Sequence, residues 1–363
     1  MSRKLRPITL LATLLGSAAY ADAPSVAVDI APVHSLVARV MEGVGTPNLI
    51  VQPGASPHEY SLRPSEAAAI EQADLVFWMG PDLTPWLGDA VETLAGDATV
   101  TALIEADGTK LLEFRESALF EGHDHGEHED HDDHEHGEHA DHDDHEEHAE
   151  DKDHDHDHED HASDEEHDHD HEDHADHDDL DHDDHDDHAG HDHGDYDPHA
   201  WLSADNASVW LNVIAAQLST RDPENAGAYF ANAAAGIEEL KTLKSEISGI
   251  LDPARGNEFI VFHDAYQYFE VDFDFPAAGA ISLSDASDPS PARIAEIQAR
   301  VKSEGVDCVL AEPQYNPGIV STVLDGTGAK TGVLDPLGSD LEPGPAMYPQ
   351  MMRNLATVLA DCL

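Results

Sequence analysis

Short apolar runs alternate with stretches of helical period over most of this chain. Val26-Ala-Val-Asp-Ile30 reads as a strand, residues 33–41 as a helix, and Asn48 to Val51 as a second strand that runs into Gln52-Pro53-Gly54. After the loop 54–60, residues 64–72 read as a helix with Pro64 in its first turn, and Asp74 to Met79 as an apolar strand. Alternating strands and helices of this kind predict an α/β lobe built on a parallel sheet. After residue 196 the pattern resumes with a helix over 204–219. The second half repeats the alternation: a strand over 258–262, a helix over 291–304, and strands over 306–311 and 330–334.

Between the two halves lies the longest helical pattern. Ala226, Tyr229, Phe230, Ala233, Ile237, Leu240, Leu243 and Ile247 recur at helical spacing. Asp222 suits an N-cap, Pro223 suits the first helical position, and Asp252-Pro253 stops the run. The expected linking helix over 222–252 would span roughly 40 Å at about 1.5 Å per residue, as a rigid strut between two lobes. The domain reading is a leader at 1–21, an N-terminal α/β lobe at 22–221, the linking helix, and a C-terminal α/β lobe at 253–363.

Residues 121–195 break the alternation. They hold 38 acidic residues against a single Lys152, and 24 of the chain's 28 histidines. With so little to bury, such a tract is expected to be disordered without a ligand. It also accounts for most of the formal net charge of −60. That charge argues against nucleic acid and anionic membrane surfaces as partners and favours cations. A purely solvating role would need only Asp and Glu. The many imidazoles suggest weak, exchanging metal sites.

The first residues read as an export signal. Arg3, Lys4 and Arg6 precede a short apolar run from Ile8 to Leu15, and Ala19-Tyr20-Ala21 offers a cleavage site. No later apolar stretch is long enough to span a membrane, so the mature chain is expected to be soluble and not membrane-inserted. The two cysteines, Cys308 and Cys362, read as a disulfide in an oxidising compartment, with zinc ligation by the pair as the weaker alternative.

Outside the tract only His34, His58, His199 and His263 remain. His58 falls in the loop 54–60, His199 follows Asp197-Pro198, and His263 ends a predicted strand. Glu312 and Asp335 end two others. In open α/β sheets ligands bind beyond the carboxyl ends of the strands. Imidazole and carboxylate are zinc ligands at about 2.0–2.2 Å, so His58, His199, His263 and Asp335 are the candidate set. Spacing alone leaves two readings open: one shared metal site, or separate histidines satisfied by hydrogen bonds. Glu312 reads as a strand-end cap or ion-pair partner, or as a group orienting a metal-bound histidine. His34 is expected not to be a ligand, and Trp201, Phe262, Tyr266 and Tyr268 are expected to serve packing.

Five segments in order resemble the ZnuA family, the periplasmic zinc-binding proteins of bacterial ABC importers. They are Pro53-Gly-Ala-Ser-Pro-His-Glu-Tyr-Ser-Leu-Arg-Pro64, Asp197-Pro-His-Ala-Trp-Leu202, Val261-Phe-His-Asp-Ala-Tyr266, Ala311-Glu-Pro-Gln314 and Leu334-Asp-Pro-Leu-Gly338. The resemblance covers nearly all of the mature chain, and the His-rich insertion falls where the family carries one. It implies two α/β lobes joined by a long rigid helix, with the metal site in the cleft between them. It also implies zinc on His58, His199 and His263, with Asp335 or a water completing the shell, and a Cys308–Cys362 disulfide. Some relatives have a glutamate before the first histidine, where this chain has Pro57. Manganese-binding cousins have a glutamate at the third ligand position; His263 here favours zinc.

The resulting expectation is a periplasmic, monomeric protein that binds one Zn2+ tightly and further Zn2+ weakly in the His-rich tract. It would deliver zinc to an ABC permease with its ATPase, with a zinc metallochaperone as a possible accessory. Change on binding would be confined to loops and a small tilt. The competing readings are an extracellular metal buffer or adhesin, and a zinc hydrolase. The chain has no HExxH motif to support the last.

Overall fold

The computed structural model describes residues 23–115, 120, 196–283 and 289–363. The expected leader and the whole His-rich tract, 121–195, lie outside the described residues.

The first lobe comprises β1 (Val26–Val28), α1 (Ala31–Val40), β2 (Asn48–Leu49), α2 (Pro64–Glu71), β3 (Leu75–Trp78), α3 (Pro85–Leu94), β4 (Thr99–Ala102) and, beyond the insertion, α4 (Ala204–Arg221). Its strands are all parallel, in the order β2-β1-β3-β4. Next comes α5 (Ala226–Leu251). The second lobe comprises β5 (Phe259–His263), α6 (Gln267–Phe273), β6 (Gly279–Ser282), α7 (Pro291–Arg300), β7 (Cys308–Ala311), α8 (Pro317–Leu324), β8 (Lys330–Val333) and α9 (Met347–Cys362). Its parallel sheet repeats the same winding, β6-β5-β7-β8. In this order the chain reverses direction between β1 and β3, and again between β5 and β7. Those reversals open crevices at the carboxyl ends of the strands.

Period-two alternation explains why both sheet faces are covered. Val26, Val28, Leu75 and Phe77 face the main core, whereas Ala27, Val76 and Trp78 face a second cluster under α2 and α3. In the other sheet Phe259, Val261, Cys308 and Leu310 face the main core, and Ile260, Phe262 and Val309 face a third cluster. Strands buried on both sides read as continuous apolar runs, as these do. The main core is continuous through both lobes, from Val26 to Cys362. Its inner layer includes Tyr229, Ala233, Leu240, Leu243 and Ile247 of α5. The helix packs against α1, α4 and α9, so it is a shared wall of the core rather than a bare strut.

The long helix opens at Ala226, not at Asp222 as the pattern predicts. Asp222 sits before Pro223 with φ −129° and ψ 78°, outside the helical region that a following proline disfavours. Its carboxylate instead closes the turn between α4 and α5, accepting from Asn225 Nδ2 at 2.7 Å and Tyr229 Oη at 2.8 Å. The expectation for the other end holds within a residue. The sequence reading did not assign α3, β4, α6, β6, α8 or α9.

Cys308 and Cys362 form a disulfide that ties β7 to α9, with Cα atoms 5.9 Å apart. Closing a loop of this length removes denatured-state entropy worth roughly 4 kcal/mol. Among the described residues no helix is long and apolar enough to cross a membrane.

Candidate metal centre

Three chain segments deliver one histidine each to a common point. His58 rides on the loop after β2, His199 precedes a short 3-10 turn at Ala200–Leu202, and His263 is the last residue of β5. Their candidate ligand nitrogens all lie within 4.8 Å of one another, the one such group of His, Cys, Asp and Glu among the described residues. Ring centroids are 5.5 Å apart for His58 and His199, and 5.2 Å for His199 and His263.

The two buried histidines are set by the same device. One oxygen of Asp197 accepts both the backbone N–H of His199, at 3.0 Å, and its Nδ1, at 2.7 Å. One oxygen of Glu312 accepts the backbone N–H of His263, at 3.3 Å, and its Nδ1, at 2.7 Å. Each pair is nearly inaccessible to solvent. With Nδ1 committed to a carboxylate, Nε2 is the nitrogen each ring can offer a metal. The carboxylate fixes the tautomer and makes the ring a stronger ligand.

His58 is half-buried and is placed through its backbone. Its N–H donates to Ser56 Oγ at 3.3 Å, and the carbonyl of Pro57 accepts from Trp86 Nε1, on α3, at 2.7 Å. Gly54 turns the loop with φ +84°, a conformation costly for any residue with a Cβ. Farther along, Glu66 accepts from Tyr60 Oη and from the backbone N–H of Arg63, which fastens the loop to α2.

The cavity between the rings has a volume of about 20 Å³ and is partly open, a space on the scale of an ion with a bound water. Pro57, Trp201, Glu312, Gln314 and Tyr315 help to line it. Tetrahedral zinc would hold its nitrogens about 3.4 Å apart. A donor set within 4.8 Å needs only a small inward movement to reach that geometry.

Asp335 is not brought into this group. It lines a separate cavity between β8 and α9. Its carboxylate caps its own turn, accepting from the backbone N–H groups of Leu337 and Gly338 on Oδ1, and of Ser339 on Oδ2 at 2.6 Å. Gln314 Nε2 connects it to the histidine cavity, 3.4 Å from Oδ1.

The family profile described as "Zinc-uptake complex component A periplasmic" matches residues 26–362. The chain belongs to the ZnuA family. A relative from Brucella abortus named "High-affinity zinc uptake system protein ZnuA" is 44 % identical over 97 % of this chain and 96 % of its own. Another of that name, from Paracoccus denitrificans, is 38 % identical over 99 % of each chain. A crystal structure of ZnuA superposes with a TM-score of 0.64 at 20 % identity, covering 94 % of this chain and 99 % of its own, which supports the fold.

Around the histidines lies a buried charged layer. Arg115 pairs with Glu270 at 2.9 Å and with Asp264 at 3.1 Å, and its guanidinium stacks 3.7 Å from the Phe120 ring centroid. Burial pushes the Asp264 carboxyl up to about 7, against the pull of Arg115. Tyr268 Oη donates to the carbonyl of Asp197 and accepts from the N–H of Leu112, so it braces the turn that carries His199. Trp201 Nε1 donates to the carbonyl of Pro336 in the other lobe. Both residues do more than pack. His34 is buried on α1, with Nε2 3.1 Å from the Pro47 carbonyl, and it is outside the histidine group.

The sequence reading missed Asp197 and Trp86 as positioning groups. The Asp-Pro-His order was a usable signal for Asp197, because a side chain two residues before a histidine can bond both its backbone and its ring. Nothing local to Trp86 points to Pro57, 29 residues away.

Proposed function

We propose that this protein captures zinc outside the inner membrane and hands it to an ATP-driven ABC importer. The convergence of His58, His199 and His263 on a space sized for one ion carries the reading. Three imidazoles suit zinc, and two of them are already oriented by carboxylates. The names of the relatives as zinc-uptake proteins supply the importer as partner. Zinc here is cargo: the ligands hold it reversibly.

We assign zinc to the three histidines. Asp335 lies outside the histidine cavity and its carboxylate accepts backbone hydrogen bonds from its own turn, so we assign the fourth position to a water, with Asp335 the alternative if the 335–339 turn opens. Residues 1–21 act as a leader that sends the chain to the periplasm, and the mature protein works as a monomer. The tract 121–195 collects zinc in several weak sites and passes some of it to the tight one, with a zinc metallochaperone as an accessory partner.

Zinc titration of the mature protein by calorimetry, beside a His58→Ala, His199→Ala, His263→Ala variant, tests the site. One tight site lost in the variant, with weaker sites retained, is the expected result. A tight site that survives would recast the protein as a buffer built on its tract. Deleting residues 123–193 should remove the weak sites alone, and zinc-limited growth of cells lacking the protein tests delivery.

A further inference from the structure

Gln314 lies two residues beyond Glu312 and lines the same cavity as the three histidines. Its amide orientation is set by its neighbours. Nε2 faces two acceptors, Asp335 Oδ1 and Ser339 Oγ, each at 3.4 Å. That leaves Oε1 on the other side of the amide. Oε1 is shut off from solvent, and among the described residues no group donates a hydrogen bond to it. A buried amide oxygen without a donor costs about as much as a broken hydrogen bond, so an unanswered acceptor beside a binding cavity calls for an explanation.

Three nearby donors are committed to other acceptors. The Nδ1 atoms of His199 and His263 face Asp197 and Glu312, and Trp201 Nε1 faces the carbonyl of Pro336. A water bound to a cation is a different matter. The cation makes it a stronger hydrogen-bond donor, and it has protons directed away from the metal. Direct ligation by the amide oxygen is the other chemistry open to Gln314, but zinc favours imidazole nitrogen and, next, charged oxygen.

Resting on the reading of the three histidines as a zinc site, we propose that Gln314 is a positioning residue for the bound ion. Its Oε1 accepts a hydrogen bond from the water that completes the shell, while its Nε2 holds Asp335 in its own turn and away from the metal. The amide thereby keeps the shell at three nitrogens and one neutral oxygen. That composition suits zinc better than manganese, which prefers carboxylates. A leucine at 314 would remove both functions at nearly constant volume, and a glutamate would keep the acceptor but lose the donor to Asp335.

The test uses the full mature chain, with zinc affinity measured against a chelator strong enough to strip weak sites, and with cobalt(II) as a spectroscopic substitute. Gln314→Leu should bind zinc at least about tenfold more weakly, the scale expected for an outer partner of a metal site, and should shift the visible bands of the cobalt form. Gln314→Glu should stay within about threefold of the parent. Circular dichroism and thermal melts check that both variants fold. Parental affinity and an unchanged cobalt spectrum in Gln314→Leu overturn the proposal. So does a loss in Gln314→Glu as large as in Gln314→Leu, or a zinc-loaded structure with Oε1 bonded to the metal itself. A His199→Ala control separates the two levels. If His199→Ala keeps the tight site, the zinc-site reading falls; if it loses the site while Gln314→Leu keeps it, only the role of Gln314 falls.

Discussion

His199 and His263 are buried side chains whose ring and backbone share one carboxylate oxygen, from Asp197 and Glu312 respectively. His58, by contrast, is half-buried on a loop; its backbone N–H donates to Ser56 Oγ, and Trp86 Nε1 donates to the carbonyl of Pro57 beside it. The first two are anchored to the ends of regular elements and hold their geometry in advance. The third is tethered at its flanks on a loop, a setting with more freedom to adjust than the end of a strand. Two preset ligands and one adjustable ligand suit a protein that must both bind zinc and let it go. The preset pair supplies affinity, because little ordering remains to be done on binding. The loop is the natural place for the small inward movement that the spread of the nitrogens requires, and for the opening that releases the ion.

The largest expected effects come from removing a ligand. With structural zinc sites worth about 10–16 kcal/mol over four ligands, each contributes roughly 3 kcal/mol, or about a hundredfold in affinity. His199→Ala and His263→Ala should therefore each weaken zinc binding about a hundredfold or more, and His58→Ala noticeably less. Equal losses for all three, read by competition titration, would break the distinction between preset and adjustable ligands.

Next come the carboxylates. Asp197→Asn and Glu312→Gln should each cost about ten- to a hundredfold in zinc affinity and leave the fold intact by circular dichroism. If either variant bound zinc as the parent does, the shared-oxygen device would be structural ornament rather than ligand orientation.

Trp86→Phe keeps the aromatic packing near Tyr60 but drops the bond to the Pro57 carbonyl. A single hydrogen bond is worth about 1 kcal/mol, so affinity should fall about fivefold. Stopped-flow kinetics should show the change mostly in zinc release, since the loop would open more readily. A change confined to capture would point to the loop as an entry gate instead.

The smallest effect on zinc is expected from Asp29, a buried carboxyl at the end of β1. Burial raises it from 3.8 to about 7, although the backbone N–H groups of Ile30 and Met79 donate to it and pull the other way. Its folded value lies above its unfolded one, so its contribution to stability is fully present below about pH 4 and is lost as pH rises toward 7. Asp29→Asn should flatten this part of the stability profile in melts between those limits, and leave zinc affinity at fixed pH within about twofold. Zinc affinity itself should fall below about pH 6.5, where imidazoles protonate. A large change in zinc affinity in Asp29→Asn would mean that the first lobe's scaffold and the metal centre are not independent.

The sequence by itself determined the two α/β halves, the helix between them and the three histidines, because apolar periodicity is a local property and only four histidines stand outside the tract. The start of α5 was misplaced for a local reason with a nonlocal cause: Asp222 is a good N-cap by type, but its carboxylate is taken by Tyr229 and Asn225. What only the tertiary structure decided is which groups meet. Residues 58, 199 and 263 are separated by the insertion and by α5. Their convergence depends on how two parallel sheets wind around a shared core, and on a continuous apolar layer that fixes the lobes against each other. The same holds for Asp335. Its position at a strand end makes it a candidate ligand, and only the fold shows that its carboxylate also accepts from the backbone N–H groups of its own turn. Competition for a polar side chain is settled by distance and burial, and those exist only once the chain has folded.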